Sequence, residues 1–385
     1  DRLAGLANQN YKEFPLGPLE GIKVIEIAGI GPGQYCGMLL ADMGAEVLRI
    51  ERPGGGGIGF DIPEQFNLMN RGRSTLTVDL KSEQGAALVL RLCVKADALF
   101  EGFRPGGMER RGLGPGTCME RNPRLVYGRM TGWGQDGPLA DRAGHDANFV
   151  ALSGVMNLIG EKDSGPLYPP MLAGDLAGGG AYLALGLLAA LLEVSRSGKG
   201  QVIDAAIIDG ALSMLTPFHG FMVAGMWRNK GQNMLDGDAP FVGAYLTADD
   251  RHIFVSPLEP KFFGNMLELM GIDDLDVARQ YDPAYWPAIR QRLETVFRTR
   301  SRDDWAEILE GADACCTPVL DPGETAGHAH IQARKLMVEV DGVSQPAPAP
   351  RFSRTKSVVR HGPGGSKPAR DVLIDWGLDP GEIEN

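Results

Sequence analysis

Over its first 130 residues the chain alternates short β-branched, apolar runs with stretches patterned as helix, and no other feature restricts the possible folds as much. IKVIEIAG (22–29), AEVLRIE (45–51), STLTVDL (74–80), ADALFEG (96–102) and RLVYGRM (124–130) read as strands buried on both faces. Segments such as GQYCGMLLADMG and SEQGAALVLRLCVKA between them read as helices. Repeated strand, helix and strand predicts an α/β fold with a mostly parallel, Rossmann-like sheet covered on both sides. Ligands of such sheets sit at the carboxyl ends of the strands.

Further along, QVIDAAIID (201–209) adds a strand, and LAGGGAYLALGLLAALL (176–192) reads as a core helix. That apolar stretch falls short of the usual membrane-spanning length and is closed by Asp175 and Glu193. GQNMLDGDAP then breaks the pattern. With 385 residues the chain has room for two domains. The expected division is a large α/β domain of residues 1–227 and 350–385, a linker at 228–237, a smaller α/β domain at 238–328 and a return linker at 329–349.

A formal charge of −11 argues against nucleic acid or an anionic membrane as partner, so any anionic ligand needs a local cluster of cations. Arg52 in LRIERP, Arg73 in MNRGRS, Arg104 in FEGFRPG and Arg110 in MERRG recur at strand ends. They fit either a phosphate site or a scatter of solvated charges. Five cysteines, an odd number without zinc-ligand spacing, fit a reducing cytoplasm. The N-terminal DRLAGLANQNYKEFP lacks the basic start and apolar core of a signal peptide. AGIGPGQYCG (28–37) fails the spacing of a dinucleotide fingerprint.

Two polar residues stand out. His145 sits in AGHDANFVALSG, beside an aspartate and ahead of an apolar helical face. Asp175 sits in AGDLAGGG, where an N-cap would stand, and Gly178, Gly179 and Gly180 behind it suggest close approach of a backbone or a ligand. From context alone each reads first as structural, Asp175 as a helix cap and His145 as a hydrogen-bonded histidine.

Taken in order, LADMGAEVLRIERP, TVDLKSEQG, EGFRPGGMERRGLGP, RMTGWGQDGPLADRAGHD, AGDLAGGG, SGKGQVIDAAIIDG, NMLDGDAP and LEPKFF resemble the family III CoA transferases (CaiB/BaiF type). The histidine of Gly-His-Asp is similar to that of their racemase members, the α-methylacyl-CoA racemases. The resemblance implies a racemase or epimerase of 2-methyl-branched acyl-CoA thioesters, in which His145 and Asp175 are an acid/base pair acting through an enolate. Glu259 in LEPKFF matches a glutamate partnering the histidine, with Asp146 and Gly174 in support. The enolate oxygen would meet the N–H groups of the helix starting near Asp175. Arg52, Arg73, Lys81, Arg104 and Arg110 fall where relatives hold the CoA phosphates and adenine, with Val78 and Gly102 giving close backbone contact. CoA is then part of the substrate, and no separate cofactor or metal is required. The resemblance also implies an interlocked homodimer. Val242, Gly243 and Asp250 depart from the family pattern on the acyl side. Two other readings stand beside it: a CoA transferase with Asp175 as nucleophile, and a catalytically silent acyl-CoA-binding protein.

Overall fold

The computed structural model describes residues 17–55, 62–365 and 367–379. The stretch in which a leader was sought, 1–16, lies outside them.

Six strands form one sheet: β1 (Lys23–Ile27), β2 (Glu46–Glu51), β3 (Ser74–Thr77), β4 (Ala98–Glu101), β5 (Val126–Thr131) and β6 (Val202–Ala206). Their order is β3-β2-β1-β4-β5-β6 and every neighbouring pair is parallel. The order reverses between β1 and β4, so the loops after those two strands diverge and leave a crevice above them. Parallel neighbours need crossovers. Three run through one helix each, α1 (Pro32–Asp42), α2 (Glu83–Cys93) and α3 (Pro115–Arg121), and the long connection from β5 to β6 is helical as well. Pro32 starts α1 at a position where its missing N–H costs nothing. Ser82 caps α2, accepting from the Gly85 N–H at 3.0 Å.

The two-residue period of the strands divides the core between the sheet faces. Ile25, Ile27, Leu48, Ile50, Leu99 and Tyr127 pack on one face with Val89 and Leu92 of α2. Val24, Val47, Ala98, Phe100 and Val126 pack on the other with Leu40 of α1. Each fully buried Leu or Ile contributes about 1.5–3 kcal/mol relative to leaving it in water.

The chain divides into two compact units. The first comprises the described residues up to Ser153, then 169–215 and from His330 onward; the second comprises 154–168 and 216–329. These bounds differ from the expected ones at both crossings. Residues 154–168 and 216–227 belong with the second unit, and the return segment from His330 belongs with the first, where Met337–Val340 and Val343–Pro346 pair as an antiparallel hairpin. Polarity explains the second difference: Gln345 is buried and accepts from the Arg71 guanidinium at 2.9 Å, tying the segment to the loop before β3.

In the second unit β7 (Gly243–Leu246), β8 (His252–Val255) and β9 (Cys316–Pro318) form an antiparallel sheet. It packs on the helices Pro260–Leu269, Trp286–Phe297 and Arg302–Leu309 through Phe263, Leu293, Phe297 and Trp305. Val242 is part of this core, and Asp250 takes a left-handed φ of 59° in the hairpin turn.

The apolar helix is longer than its pattern suggested: helical winding runs from Leu172 to Ser197, 26 residues, long and apolar enough by composition to cross a membrane. Its packing is that of a core element. Leu183, Leu187 and Val194 are buried against the sheet, while Leu185 and Leu192 are exposed.

Candidate active site

The position of His145 follows from an aromatic clamp. α4 (Asp146–Ser153) starts immediately after it, and the Phe149 ring of α4 occupies the space in which a Cβ at Gly132 or at Gly144 would lie. Trp133 closes the clamp edge-to-face, ring centroids 4.6 Å apart. Only glycine fits on either side of that ring. The His145 N–H donates to Asn148 Oδ1 at 3.0 Å, its carbonyl accepts from the Asn148 N–H at 2.8 Å, and its side chain is exposed.

Asp175 is placed differently from expectation. It is no N-cap: winding begins at Leu172, Met171 takes the left-handed cap with φ 59°, and Leu172–Ala181 is a π-helix. The Leu176 N–H accordingly reaches back five residues to the Met171 carbonyl, at 2.9 Å. α5 (Tyr182–Ser197) continues from it. This wide stretch is shaped by its neighbours. Gly178 lies against the backbone of α6 (Ile207–Met214) at Gly210, Gly179 against Pro32 and Gly180 against the Pro32 carbonyl, so the triple glycine answers to close backbone packing. On the other side, Asp175 Oδ2 rests on Gly31, which has a φ of 62° and follows β1; a side chain there would strike the carboxylate. The carboxyl group therefore sits above the carboxyl end of β1.

Asp146 joins the two groups. Buried at the start of α4, it accepts from the Asp175 N–H at 2.5 Å through Oδ1 and from the Met171 N–H at 3.2 Å through Oδ2. Since His145 precedes Asp146 directly, one hydrogen bond brings the chain segments of His145 and Asp175 together. Glycine before Asp175 would permit an unusual backbone angle, but the φ of Gly174 is not in the left-handed region; it is glycine because Asp146 Oδ1 and Val150 fill the place of a Cβ. Several of the N–H groups near Asp175, the expected oxyanion donors, are engaged. The N–H groups of Met171, Asp175 and Leu176 already have partners within the chain.

Burial pushes the Asp175 carboxyl up to about 7, from an ordinary 3.8, and the Asp146 charge adds to the rise. A helix start would lower this carboxyl and an apolar setting raise it; the apolar setting dominates. Since the folded group binds its proton more tightly than the unfolded one, the protein loses stability as pH rises from about 4 to 7. Asp175→Asn should therefore melt higher than the unsubstituted protein at pH 8. The gap should close below pH 4 in paired thermal scans, and a gap independent of pH would remove the raised carboxyl from the explanation.

Lys81 and Arg110 come together on one cavity of about 430 Å³ that is also lined by Ser82, Glu83 and Arg111. Arg52, Gly102 and Arg104 are exposed on the strand-end loops after β2 and β4, the Arg52 Nε donating to the Gly55 carbonyl at 2.5 Å. Val78 is buried, its N–H donating to the Glu51 carbonyl at 2.7 Å. Arg73 departs from expectation. Its side chain is fully buried, paired with Glu26 and bonded to the Met69 carbonyl and Asn70 Oδ1, so it cannot reach a phosphate. Glu26, in the middle of β1, was the unread signal: a carboxylate inside an apolar strand requires a buried cation. Glu101 and Arg129, in β4 and β5, carry the same signal. Among the described residues no three His, Cys, Asp or Glu side chains gather as a metal-ligand set. Glu259 lies in the second unit, exposed, at the N-cap of the helix Pro260–Leu269 and beside Cys315.

Residues 19–366 match CoA-transferase family III. The chain belongs to that family. Within family III it is 39% identical to the "Alpha-methylacyl-CoA racemase" of Mus musculus and 38% identical to that of Homo sapiens, each match spanning 95% of both chains. Among solved structures it resembles a CAIB/BAIF family protein from Brucella suis, with a TM-score of 0.80 and 28% identity over 94% of this chain and all of that one. The six-stranded parallel sheet and its attached smaller unit are thus a family III fold.

Proposed function

We propose that the chain is a racemase of 2-methyl-branched acyl-CoA thioesters. One observation carries the reading: the Asp146–Asp175 hydrogen bond sets an imidazole-bearing segment against a carboxyl group whose proton is held to about pH 7. Likeness to two proteins named as such racemases over nearly the whole chain supports it.

The reaction needs two groups because the α-proton leaves one face of the carbon and another must arrive on the opposite face. Neutral His145 takes the proton, and the C–H electron pair moves into the thioester carbonyl to give an enolate. Protonated Asp175 returns a proton from the other side and the thioester carbonyl reforms. In the reverse direction the ionised Asp175 abstracts and protonated His145 donates. A carboxyl titrating near working pH suits both roles. The transferase alternative, with ionised Asp175 as nucleophile, is less supported, because the relatives at 39% and 38% identity are both named racemases. No electron carrier or metal takes part in this balance, and CoA enters as part of the substrate. Lys81, Arg104 and Arg110, exposed on neighbouring loops, are the phosphate and adenine contacts of this reading, with Arg52 and Gly102 beside them.

The working form is a homodimer in the same reading. Leu185 and Leu192 of α5 and Leu212 of α6 are exposed apolar side chains of the first unit, suited to a second copy. Glu259 serves the histidine as its charged partner, and Glu259→Gln should lower turnover.

The decisive experiment is incubation of one epimer of a 2-methylacyl-CoA in deuterated water. Both epimers should appear with deuterium at the α-carbon. Unlabelled thioester, together with transfer of CoA to an added free acid, would establish the transferase instead.

A further inference from the structure

A carboxylate that the proposed reaction does not use lies at the sheet's reversal point. Glu101 ends β4, next to β1, and is only 1% exposed. Such a group is costly unless charges and donors surround it. It has both: the Phe103 N–H donates to Oε2 at 2.6 Å, and Arg129, its register partner on β5, brings Nε to 3.4 Å from Oε1. The Arg129 guanidinium continues outward to Glu109, Nη1 to Oε1 at 2.9 Å. A chain of four residues, Phe103, Glu101, Arg129 and Glu109, thus ties both ends of the loop 102–109 to the sheet.

The loop is braced inside as well. Arg111 stacks its guanidinium on the Phe103 ring, 4.5 Å from the centroid, and Nη1 donates to the Gly107 carbonyl at 2.6 Å. The loop's other cations, Arg104 and Arg110, are exposed. A hydrophobic pair in place of Glu101 and Arg129 would serve stability equally well. What it would not supply is an acceptor for the Phe103 amide.

We propose that Glu101 is a positioning residue for CoA binding: through the Phe103 amide and Arg129 it fixes the loop that presents Arg104 and Arg110 to the phosphates. The inference rests on the acyl-CoA reading above. Burial raises the Glu101 carboxyl to about 7 against the pull of the Phe103 amide and Arg129; Glu109 and the Tyr127 phenol face the same group. Ionised Glu101 holds the loop above that pH, and the neutral form loses the Arg129 pairing below it.

The test uses the whole 385-residue chain. Free CoA is titrated calorimetrically into it and into Glu101→Gln, and kcat and KM for α-proton exchange are measured from pH 6 to 8. At pH 8 the substitution should weaken CoA binding and raise KM about tenfold, the loss of one charged hydrogen bond, with kcat within about twofold. The difference should shrink toward pH 6. A merely structural defect would lower the active fraction, and with it kcat, at unchanged KM. Equal CoA affinity in the two proteins overturns the positioning role alone, whereas an unsubstituted enzyme that binds no CoA overturns the acyl-CoA reading as well. Should Glu101→Gln not fold, Glu109→Gln at the exposed end of the chain carries the test: a raised KM at constant kcat supports the proposal, and unchanged constants reject it.

Discussion

Alanine at His145 or at Asp175 should abolish inversion and leave a directional remnant. Loss of a positioned acid or base costs about 10²–10⁴-fold, and inversion needs both groups in either direction. Exchange without inversion needs only one. The His145→Ala enzyme should therefore still wash deuterium into the epimer whose α-hydrogen faces Asp175, and Asp175→Ala should do so only with the opposite epimer. Both variants should bind free CoA normally, because neither residue belongs to the exposed loops carrying Arg104 and Arg110. Mass spectrometry of recovered thioesters, separated by configuration, reads the result. Identical slow exchange of both epimers in both variants would remove the two-sided arrangement.

The second large effect concerns a residue with no chemistry of its own. Gly210 lies in α6 with its Cα facing the backbone of Gly178, and an alanine methyl there would overlap the Gly178 carbonyl. Backbone cannot swing aside as the end of a long side chain can. Gly210→Ala is expected to cost about 3 kcal/mol, at the upper end of the usual range for overpacking. It should also lower activity more than tenfold, because the stretch it displaces carries Asp175. Gly116→Ala is the control: its Cβ would meet open space, and alanine in α3 should be neutral or slightly stabilising. Denaturant midpoints and rates at matched folded fraction separate the two effects. A Gly210→Ala protein of unaltered stability would mean that α6 and the π-helical stretch move apart freely.

Most of the sheet was legible because its strands are largely apolar runs, and the six expected runs correspond to β1 through β6, although the edge strands β3 and β6 are partly exposed rather than buried on both faces. Their order, with its reversal beside β1, was not legible, since spatial neighbours in a parallel sheet leave no local mark. The membership of His145 and Asp175 in one site came from resemblance. Physical context alone favoured a helix-capping aspartate and a hydrogen-bonded structural histidine. The triple glycine correctly announced close packing without naming the neighbour, which is Gly210 together with Pro32. Reading Arg73 as a phosphate ligand failed for a reason visible in hindsight: Glu26 inside IKVIEIAG needed a buried cation, and the loop before β3 supplies it. The π winding had no signal, because the apolar pattern of 176–192 fits an ordinary helix as well.

That winding bears on where the site's geometry comes from. An unconstrained helix closes its amide ladder at four residues, and the five-residue ladder of Leu172–Ala181, four of whose ten residues are glycine, is the less favourable choice. The wider coil exists because Pro32, Gly210 and the Asp146 carboxylate hold it open from outside. Excised from its surroundings, so glycine-rich a segment would not hold any helical winding, and the Asp175 side chain would lose its fixed azimuth. The aim of the reacting carboxyl is therefore a property of the assembled layer, and substitutions well away from the substrate can blunt it.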